Sequence, residues 1–298
     1  MAANGMGWVL GDDVLIFGLG YTGRAIAGAL VLAGAAVTAT SRHPERAACP
    51  IGVTLRRFED AEAAMRTTTH VVATAPPDDR GDPVLAAFGA ALRAAPRLRW
   101  VGYLSTTGVY GDRGGAWVDE ATEVAPGSAR AGRRVAAELA WRALADRVAV
   151  DLFRVAGIYG PGRSVFDELR AGRARRIVRP GHLFGRIHRD DIAGAVRAAI
   201  LHPPAAGVRV LNLADDCPAA SADVAGEAAA LLGVASPPAI PFAEAWPGMS
   251  AMARSFWAES RLVRSSITQE ALGYRWRYPS YREGLRAILR EEGGDGAS

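Results

Sequence analysis

The chain has 298 residues, half of them apolar, and its formal net charge is +4 at pH 7. A chain of this length and composition can bury a full core, so disorder is expected only at the ends. The arginines are spread along the chain rather than gathered in one block, which argues against a nucleic-acid-binding protein. All 35 basic residues are arginine, so no mechanism that requires a lysine amine can operate here.

The composition favours a cytoplasmic protein that contacts no membrane. Residues 1–7 contain no basic region ahead of an apolar block, so we expect no secretory signal. The longest uncharged apolar run, from Ala25 to Val37, is shorter than the roughly 20 residues that span a bilayer. Cys49 and Cys217 lie far apart and in no Cys/His cluster, which predicts no metal site and suits a reducing compartment. A monomer and a homodimer both remain open.

Apolar runs typical of strands alternate with alanine-rich stretches typical of helices. The predicted strands are 14–17, 37–40, 53–58, 70–74, 99–104, 148–154 and 208–213. The predicted helices are 21–33, 83–95, 128–145, 190–201, 221–232 and 281–289. This alternation predicts an α/β fold, a doubly wound parallel Rossmann sheet with right-handed crossovers.

Several helix ends carry sequence signals. Asp82 precedes a proline and is expected to cap the helix that follows. Ser221 is expected to cap the helix that Gly233 closes. Residues 291–298 are expected to form a frayed polar tail.

The regular alternation stops after Arg154, where three glycines and a proline crowd into residues 157–162. We therefore predict an NADP-binding Rossmann domain over residues 1–155. Residues 156–298 are expected to form mainly a smaller substrate-binding region, built from split segments, some of which return to the sheet.

The glycines of the segment 18–23 have the GxGxxG spacing and join a strand to a helix. In such a loop Gly18 permits the turn, Gly20 lets a pyrophosphate approach, and Gly23 lets the helix pack against the strand. A plain glycine-rich turn is the alternative. The predicted cofactor-binding residues are Gly18, Leu19, Gly20, Tyr21, Thr22, Gly23, Ser41, Arg42, Asp60, Thr74, Ala75 and Pro76.

The end of the second predicted strand favours NADP over NAD. An NAD site usually offers an acid there, whereas this turn offers Ser41 and Arg42, with Arg46 in reserve. A hydroxyl and a guanidinium suit a 2′-phosphate. The alternative is that Arg42 is merely a solvated loop residue.

Three arginines lie in the first two turns of helix 128–145, where cations oppose the helix dipole. Arg130, Arg133 and Arg134 should each cost about 0.3–1 kcal/mol if exposed. Arg130 and Arg134 are four residues apart and share one helix face. We therefore ask which negative group their positive charge meets.

Five short motifs occur in one order, and together they resemble the extended short-chain dehydrogenase/reductases, the superfamily of NAD-dependent epimerases and dehydratases. The motifs are 18–23, 105–111, 154–162, 187–193 and 210–215, so the resemblance covers nearly the whole chain. It implies a doubly wound cofactor domain and a smaller C-terminal region that holds the substrate.

The resemblance also implies catalytic positions. Thr106 would hydrogen-bond the reacting oxygen, while Arg130 and Arg134 stand where the family has its tyrosine and lysine. An arginine cannot shuttle protons at neutral pH. Positive charge there suits an anionic substrate, an enolate-like oxyanion or the cofactor's phosphates. The alternative is that Arg134 pairs with Glu138 while Arg130 and Arg133 are solvated.

The residues that could replace the family's tyrosine as the acid are Tyr110, Tyr159 and His188, each of which could equally be structural. We predict Tyr159 as catalytic, together with Thr106 and the two arginines. The predicted substrate-binding residues are Tyr110, Arg163, Arg176 and His188. The arginine-rich stretch 163–189 fits phosphate or carboxylate recognition, or else a solvated surface.

The resulting hypothesis is an NADP(H)-dependent oxidoreductase or epimerase that acts on a small anionic or sugar-like carbonyl or hydroxyl compound. Sugar dehydration is disfavoured, because Thr107 and Gly108 stand where sugar dehydratases of the family tend to have Asp-Glu. The rival hypothesis is a catalytically silent NADP(H)-binding sensor or scaffold protein.

Overall fold

The computed structural model describes residues 12–204 and 207–294. The strands are β1 (Asp13–Phe17), β2 (Ala36–Ser41), β3 (Val53–Arg57), β4 (His70–Ala73), β5 (Trp100–Thr106), β6 (Trp117–Val118), β7 (Ala149–Val155), β8 (Gly157–Tyr159), β9 (Arg176–Val178), β10 (Arg186–His188), β11 (Val208–Leu213), β12 (Ala239–Pro241) and β13 (Leu262–Val263). The helices are α1 (Tyr21–Leu32), α2 (Ala61–Met65), α3 (Pro83–Ala94), α4 (Ala129–Arg142), α5 (Val165–Arg170), α6 (Arg189–Leu201), α7 (Ser221–Leu232), α8 (Phe242–Ala245), α9 (Ala251–Ala258), α10 (Ser266–Leu272) and α11 (Tyr281–Gly294).

Seven strands form one central sheet in the order β11-β7-β5-β4-β1-β2-β3. Every pairing within it is parallel. The strand order reverses between β1 and β4, which is the topological switch point where α/β proteins bind ligands. The predicted doubly wound parallel fold is confirmed.

The sheet is buried on both faces. Along β1, Val14 and Ile16 belong to one apolar cluster and Leu15 and Phe17 to the other, because successive strand side chains point to opposite faces. Helices α1 and α6 cover the first face, and α3 and α4 cover the second. Such two-sided burial explains why the strands are nearly continuous apolar runs.

Two predicted helix ends differ from the structure. Ala220, not Ser221, is the residue before α7, and Ser221 is the first helical residue without a side-chain capping bond. Helix α11 continues to Gly294, so the tail predicted from residue 291 is helical at its start, and residues 295–298 lie outside the described part. The cap at Asp82 and the left-handed Gly233 are confirmed.

Strand β11 and helix α6 come from the C-terminal half of the chain and yet join the central sheet unit. Three separate two-strand pairs, β8 with β10, β9 with β12, and β6 with β13, lie outside that sheet. The boundary near residue 155 stays a prediction. No helix in residues 12–204 and 207–294 has both the length and the apolarity to cross a bilayer, and the segment 1–7 considered for a signal lies outside the described residues.

Candidate functional site

The loop between β1 and α1 depends on its glycines in two different ways. Gly18 has a φ of +99°, and a Cβ on Gly23 would lie 2.1 Å from the carbonyl oxygen of Gly18. These two positions therefore need glycine for the chain's own geometry. A Cβ on Gly20 would meet no atom within 4 Å. The space above Gly20 is open, as close approach by a ligand requires.

The N-terminus of α1 offers unpaired backbone N–H groups. Gly20 supplies no side-chain capping bond, and the first turn contains no acidic residue. Such a helix end attracts an anion through its N–H groups and its dipole. Thr74 supports this loop by donating its hydroxyl proton toward the carbonyl oxygen of Gly18, at 2.9 Å. The predicted residues Leu19 and Thr22 are buried and brace the loop from below.

The predicted 2′-phosphate residues lie at the carboxyl end of β2. The Ser41 hydroxyl accepts a hydrogen bond from the N–H of His43 at 3.1 Å. Arg42 is exposed and forms no hydrogen bond or ion pair with any described residue. Asp60, also predicted for the cofactor, is exposed at the residue before α2.

Tyr21 connects the glycine loop to the loop after β8. Its hydroxyl donates a hydrogen bond to the carbonyl oxygen of Pro161 at 3.0 Å. The guanidinium carbons of Arg163 and Arg189 lie 5.6 Å and 5.4 Å from the centre of its ring. Arg163, predicted as a substrate residue, therefore stands between the glycine loop and the cavities described next.

A cavity of about 460 Å³ opens at the carboxyl ends of β5 and β7, and we refer to it as the central cavity. Thr106, the last residue of β5, lies in its wall next to Val155 of β7. Five arginines and one glutamate supply the charge of its lining: Arg130, Arg134, Arg163, Arg186, Arg261 and Glu259. The excess of positive charge suits an anionic ligand.

The two arginines of α4 both reach the central cavity, but in different states. One Nη of Arg134 donates to the hydroxyl of Tyr103 at 3.0 Å and to the carbonyl oxygen of Leu104 at 2.8 Å. Arg130 is exposed and has neither a hydrogen bond nor an ion pair among the described residues. Arg133 faces elsewhere and pairs with the exposed Asp79.

Thr106 has a hydroxyl whose proton is available. Its oxygen accepts a hydrogen bond from the N–H of Gly108 at 3.2 Å, which leaves the O–H free to donate. Because β5 runs two residues further than the sequence predicted, Thr106 is held by the sheet rather than by a loop.

A buried polar network lies beneath Thr106. Arg154 donates from Nε and Nη2 to the carboxylate of Glu138 at 3.2 Å and 2.8 Å, and Ser105 donates to the same carboxylate at 2.6 Å. Glu138 is therefore occupied, and the alternative pairing of Arg134 with Glu138 is wrong. A bidentate, fully partnered carboxylate is the form in which a protein tolerates a buried charge pair.

Tyr110 belongs to this buried network and not to a ligand site. Its side chain is fully buried, and its hydroxyl donates to Oδ1 of Asn212 at 2.7 Å. The ring lies against the guanidinium of Arg154, at 4.8 Å. Tyr110 lines neither of the two cavities, so this geometry gives its predicted substrate role no support, and that role stays a prediction.

His188 caps a helix. It is buried, and its Nδ1 accepts a hydrogen bond from the N–H of Asp190 at the start of α6. Burial lowers the pKa of His188 to about 4, so the ring is neutral at pH 7 and unsuited to supply a proton. The structure thus shows a structural role for His188, and its predicted substrate role stays a prediction. Arg176, on β9, also lines neither cavity.

Tyr159 touches the central cavity, but its hydroxyl is directed elsewhere. The hydroxyl donates to the carbonyl oxygen of Ser280 at 3.4 Å and fills the space beside Gly284 of α11. Burial raises the pKa of Tyr159 well above its usual value of 10. Its predicted role as the replacement acid therefore has no support in the geometry.

A second cavity, of about 620 Å³, adjoins the central one and is bordered by α5, α7 and α11. The two share Tyr159, Arg163, Arg186 and Ser221 in their walls. In the arginine-rich stretch 163–189, ion pairs to Glu292, Glu168 and Glu291 hold Arg170, Arg173 and Arg189 respectively. These three arginines form ion pairs within the protein, and recognition of a phosphate or carboxylate by the other arginines of the stretch stays a prediction.

Sequence reasoning missed several cavity residues. Thr107, Phe184, Phe256, Trp257, Glu259 and Arg261 all line the central cavity. Most of them come from the segment 242–263, where short elements follow one another without the periodicity that marks a helix or strand. The only available signal was the density of aromatic and charged residues there.

The fold and the glycine loop together define a doubly wound Rossmann protein. Two solved structures share it over their whole length. Human epimerase family protein SDR39U1 (isoform 2) with NADPH has 21% identity and a TM-score of 0.74, and covers 93% of this chain and 99% of that one. MoeE5 in complex with UDP-glucuronic acid and NAD has 21% identity and a TM-score of 0.70, with coverage of 94% and 99%. The chain thus shares the fold of these two proteins.

A further solved structure is much more similar. A functionally unknown conserved protein from Silicibacter pomeroyi DSS has 42% identity and a TM-score of 0.86, covering 94% of this chain and 99% of that one. The chain belongs to the family of this conserved protein. No protein-family profile and no curated protein sequence matches the chain.

Proposed function

We propose that the protein is an NADP(H)-dependent oxidoreductase or epimerase that acts on a small anionic carbonyl or hydroxyl compound. The observation that carries the proposal is the position of Thr106. Its free O–H lies in the arginine-rich central cavity, which Arg163 and Tyr21 connect to the glycine loop. Cavities at the carboxyl ends of parallel strands are where α/β enzymes bind their ligands.

The residues present fit a nicotinamide dinucleotide. The open space above Gly20 and the uncapped start of α1 suit the pyrophosphate, and Arg42 has no partner that a 2′-phosphate would displace. The complexes of the similar folds, one with NADPH and one with NAD, support this class of cofactor.

When bound, the nicotinamide supplies or accepts a hydride. The Thr106 hydroxyl donates a hydrogen bond to the reacting oxygen, and Arg130 and Arg134 stabilise the negative charge that develops on it. The proton that the reacting oxygen gains in a reduction would come from water, because Arg130, which lines the cavity, is exposed to solvent. In the oxidation of the alcohol this proton would return to water.

Cofactor binding is tested by two matched glycine variants. Gly20→Ala and Gly28→Ala both introduce a methyl group into open space, but only Gly20 lies in the loop. We expect Gly20→Ala to weaken NADPH binding at least about tenfold, because the methyl group blocks the pyrophosphate. Gly28→Ala should leave it unchanged in a fluorescence titration. Equal affinities for the two variants would contradict the proposed cofactor site.

Turnover is tested with NADPH and a panel of keto acids, aldehydes and sugar phosphates. We expect Thr106→Val, which removes one hydroxyl, to lower kcat by about a hundredfold for the active substrate. Product formed without net loss of NADPH identifies an epimerase. Tight NADPH binding without product from any compound overturns the enzymatic proposal in favour of a sensor or scaffold.

A further inference from the structure

The central cavity has an aromatic wall that the proposed chemistry does not use. Phe184, Phe256 and Trp257 all line it, with the rings of Phe184 and Trp257 4.9 Å apart and nearly perpendicular. Phe256 is 52% exposed although it borders a cavity. An aromatic ring left open inside a binding cavity offers apolar surface to a ligand.

Two rings of this wall, those of Phe256 and Phe184, each lie beside a guanidinium. The guanidinium carbon of Arg130 is 5.7 Å from the ring centre of Phe256, and that of Arg186 is 5.9 Å from the ring centre of Phe184. Arg186 already donates to two carbonyl oxygens, those of Phe184 and Ala219. Arg130 has no polar partner among the described residues, so its N–H groups remain for a ligand.

The lining offers a sugar few side-chain acceptors other than the hydroxyls of Ser105, Thr106, Thr107 and Ser221. Among its described residues there is no asparagine, glutamine, aspartate or histidine, and the one carboxylate, Glu259, accepts a bond from Arg261 at 2.6 Å. A ligand rich in hydroxyl groups needs acceptors for its O–H donors, and unpaired donors are costly when buried.

We propose that the central cavity binds an aromatic carboxylate, with its carboxylate on Arg130 and its ring against Phe256 and Phe184. The proposal rests on the proposed function in one respect: the carbonyl or hydroxyl of this acid is the group that Thr106 contacts. An acid and a ring on one small molecule match the pairing of guanidinium and aromatic ring on the wall.

The test measures binding to the full chain by calorimetry, with and without saturating NADP+. Phenylpyruvate carries both groups, pyruvate carries the acid alone, acetophenone carries the ring alone, and UDP-glucose represents the sugar class. We expect phenylpyruvate to bind at least about tenfold more tightly than each of the other three, because only it uses both parts of the wall.

Matched variants assign the two contacts. Arg130→Gln should weaken phenylpyruvate about tenfold, whereas Arg133→Gln on the same helix, directed at Asp79, should not. Phe256→Ala should weaken phenylpyruvate about fivefold and leave pyruvate unchanged. Met252→Ala, on the same helix and 64% exposed but outside the cavity, should change neither.

The outcomes separate the two proposals. Tighter binding of UDP-glucose than of phenylpyruvate, or unchanged phenylpyruvate affinity in both Arg130→Gln and Phe256→Ala, overturns the aromatic-acid site even if NADPH binds and a sugar is turned over. Equal NADPH affinities of Gly20→Ala and Gly28→Ala would contradict the proposed function alone, since phenylpyruvate binding to the cofactor-free chain is measured separately.

Discussion

Two arginines near Thr106 illustrate opposite uses of the same side chain. Arg154, beneath the strand end, is 4% exposed and gives two hydrogen bonds to Glu138. Arg130, at the cavity, is exposed and lies beside the ring of Phe256, with no hydrogen bond or ion pair to any residue that the structure describes. A cation with every donor used holds the fold together, whereas a cation kept at an unfavourable helix start without a partner is available to a ligand.

The largest loss of stability is expected at the buried pair of Glu138 and Arg154. Glu138→Ala should lower the free energy of unfolding by about 3–5 kcal/mol, because it leaves the charge of Arg154 buried and uncompensated. Asp79→Ala, which removes the exposed partner of Arg133, should lower it by about 1 kcal/mol or less. Urea denaturation of both variants measures this contrast, and similar losses would contradict it.

Arg186 lies between these two extremes, and its neighbour Asp215 gives a pH test. Burial raises the pKa of Asp215 to about 8, against the opposing attraction of Arg186. The folded chain keeps this proton where the unfolded chain, with a pKa of about 3.9, has lost it. The resulting stability is present below about pH 4 and is lost as the pH rises toward about 8.

Asp215→Asn removes this titration, so its free energy of unfolding should fall less than that of the wild type between about pH 4 and about pH 8. A difference of about 2 kcal/mol or more is expected over that range. Buried His70 and His188, whose pKa values are lowered to about 4, add the opposite slope up to about pH 6.5. They are common to both proteins and cancel in the comparison. Parallel stability curves would be evidence against a buried, protonated Asp215.

Arg42 offers a second exposed arginine without a partner. Arg42→Ala should weaken NADPH binding about tenfold and leave NADH binding unchanged, because only the former carries a 2′-phosphate. Arg275→Ala, which removes an exposed arginine outside the predicted cofactor site, serves as the control. A loss of affinity for both cofactors would mean that Arg42 contacts a group common to them.

The smallest change in stability is expected at the start of α4, the helix that carries Arg130. The Ser128 hydroxyl accepts a hydrogen bond from the N–H of Ala131 at the start of α4. Ser128→Ala should therefore cost about 1 kcal/mol of stability, and Ser128→Asn should restore most of it. Thermal unfolding of the two variants checks this, and an equal loss in both would exclude a capping role.

The sequence could predict features that neighbouring residues encode. The strands, the glycine loop and the cap at Asp82 follow from local pattern and turn chemistry, and they agree with the structure. Tyr110 could not be assigned in this way, because its hydroxyl is bound by Asn212, 102 residues later in the chain. For His188 the sequence left a structural role open. The structure shows such a role, because the ring accepts a hydrogen bond from the N–H of Asp190, two residues away.

Part of the charged lining of the cavity was predictable, and the aromatic lining was not. Arg130 and Arg134 were found because a helix face groups residues four apart. Phe256 and Trp257 belong to a short helix between irregular segments, whose position against β5 and β7 depends on contacts such as that of Trp257 with His182 and Phe184. Contacts of this kind between distant residues leave no periodic pattern in the sequence.

The glycine loop separates what folding demands from what a ligand demands. Gly18 and Gly23 are imposed by a left-handed backbone and by a clash with a carbonyl oxygen, while Gly20 has empty space around it. If the cofactor site is as proposed, a descendant that kept this architecture without binding a dinucleotide would be free to replace Gly20 while retaining the other two glycines. The residue at that one position would then record whether selection acts on the proposed cofactor site.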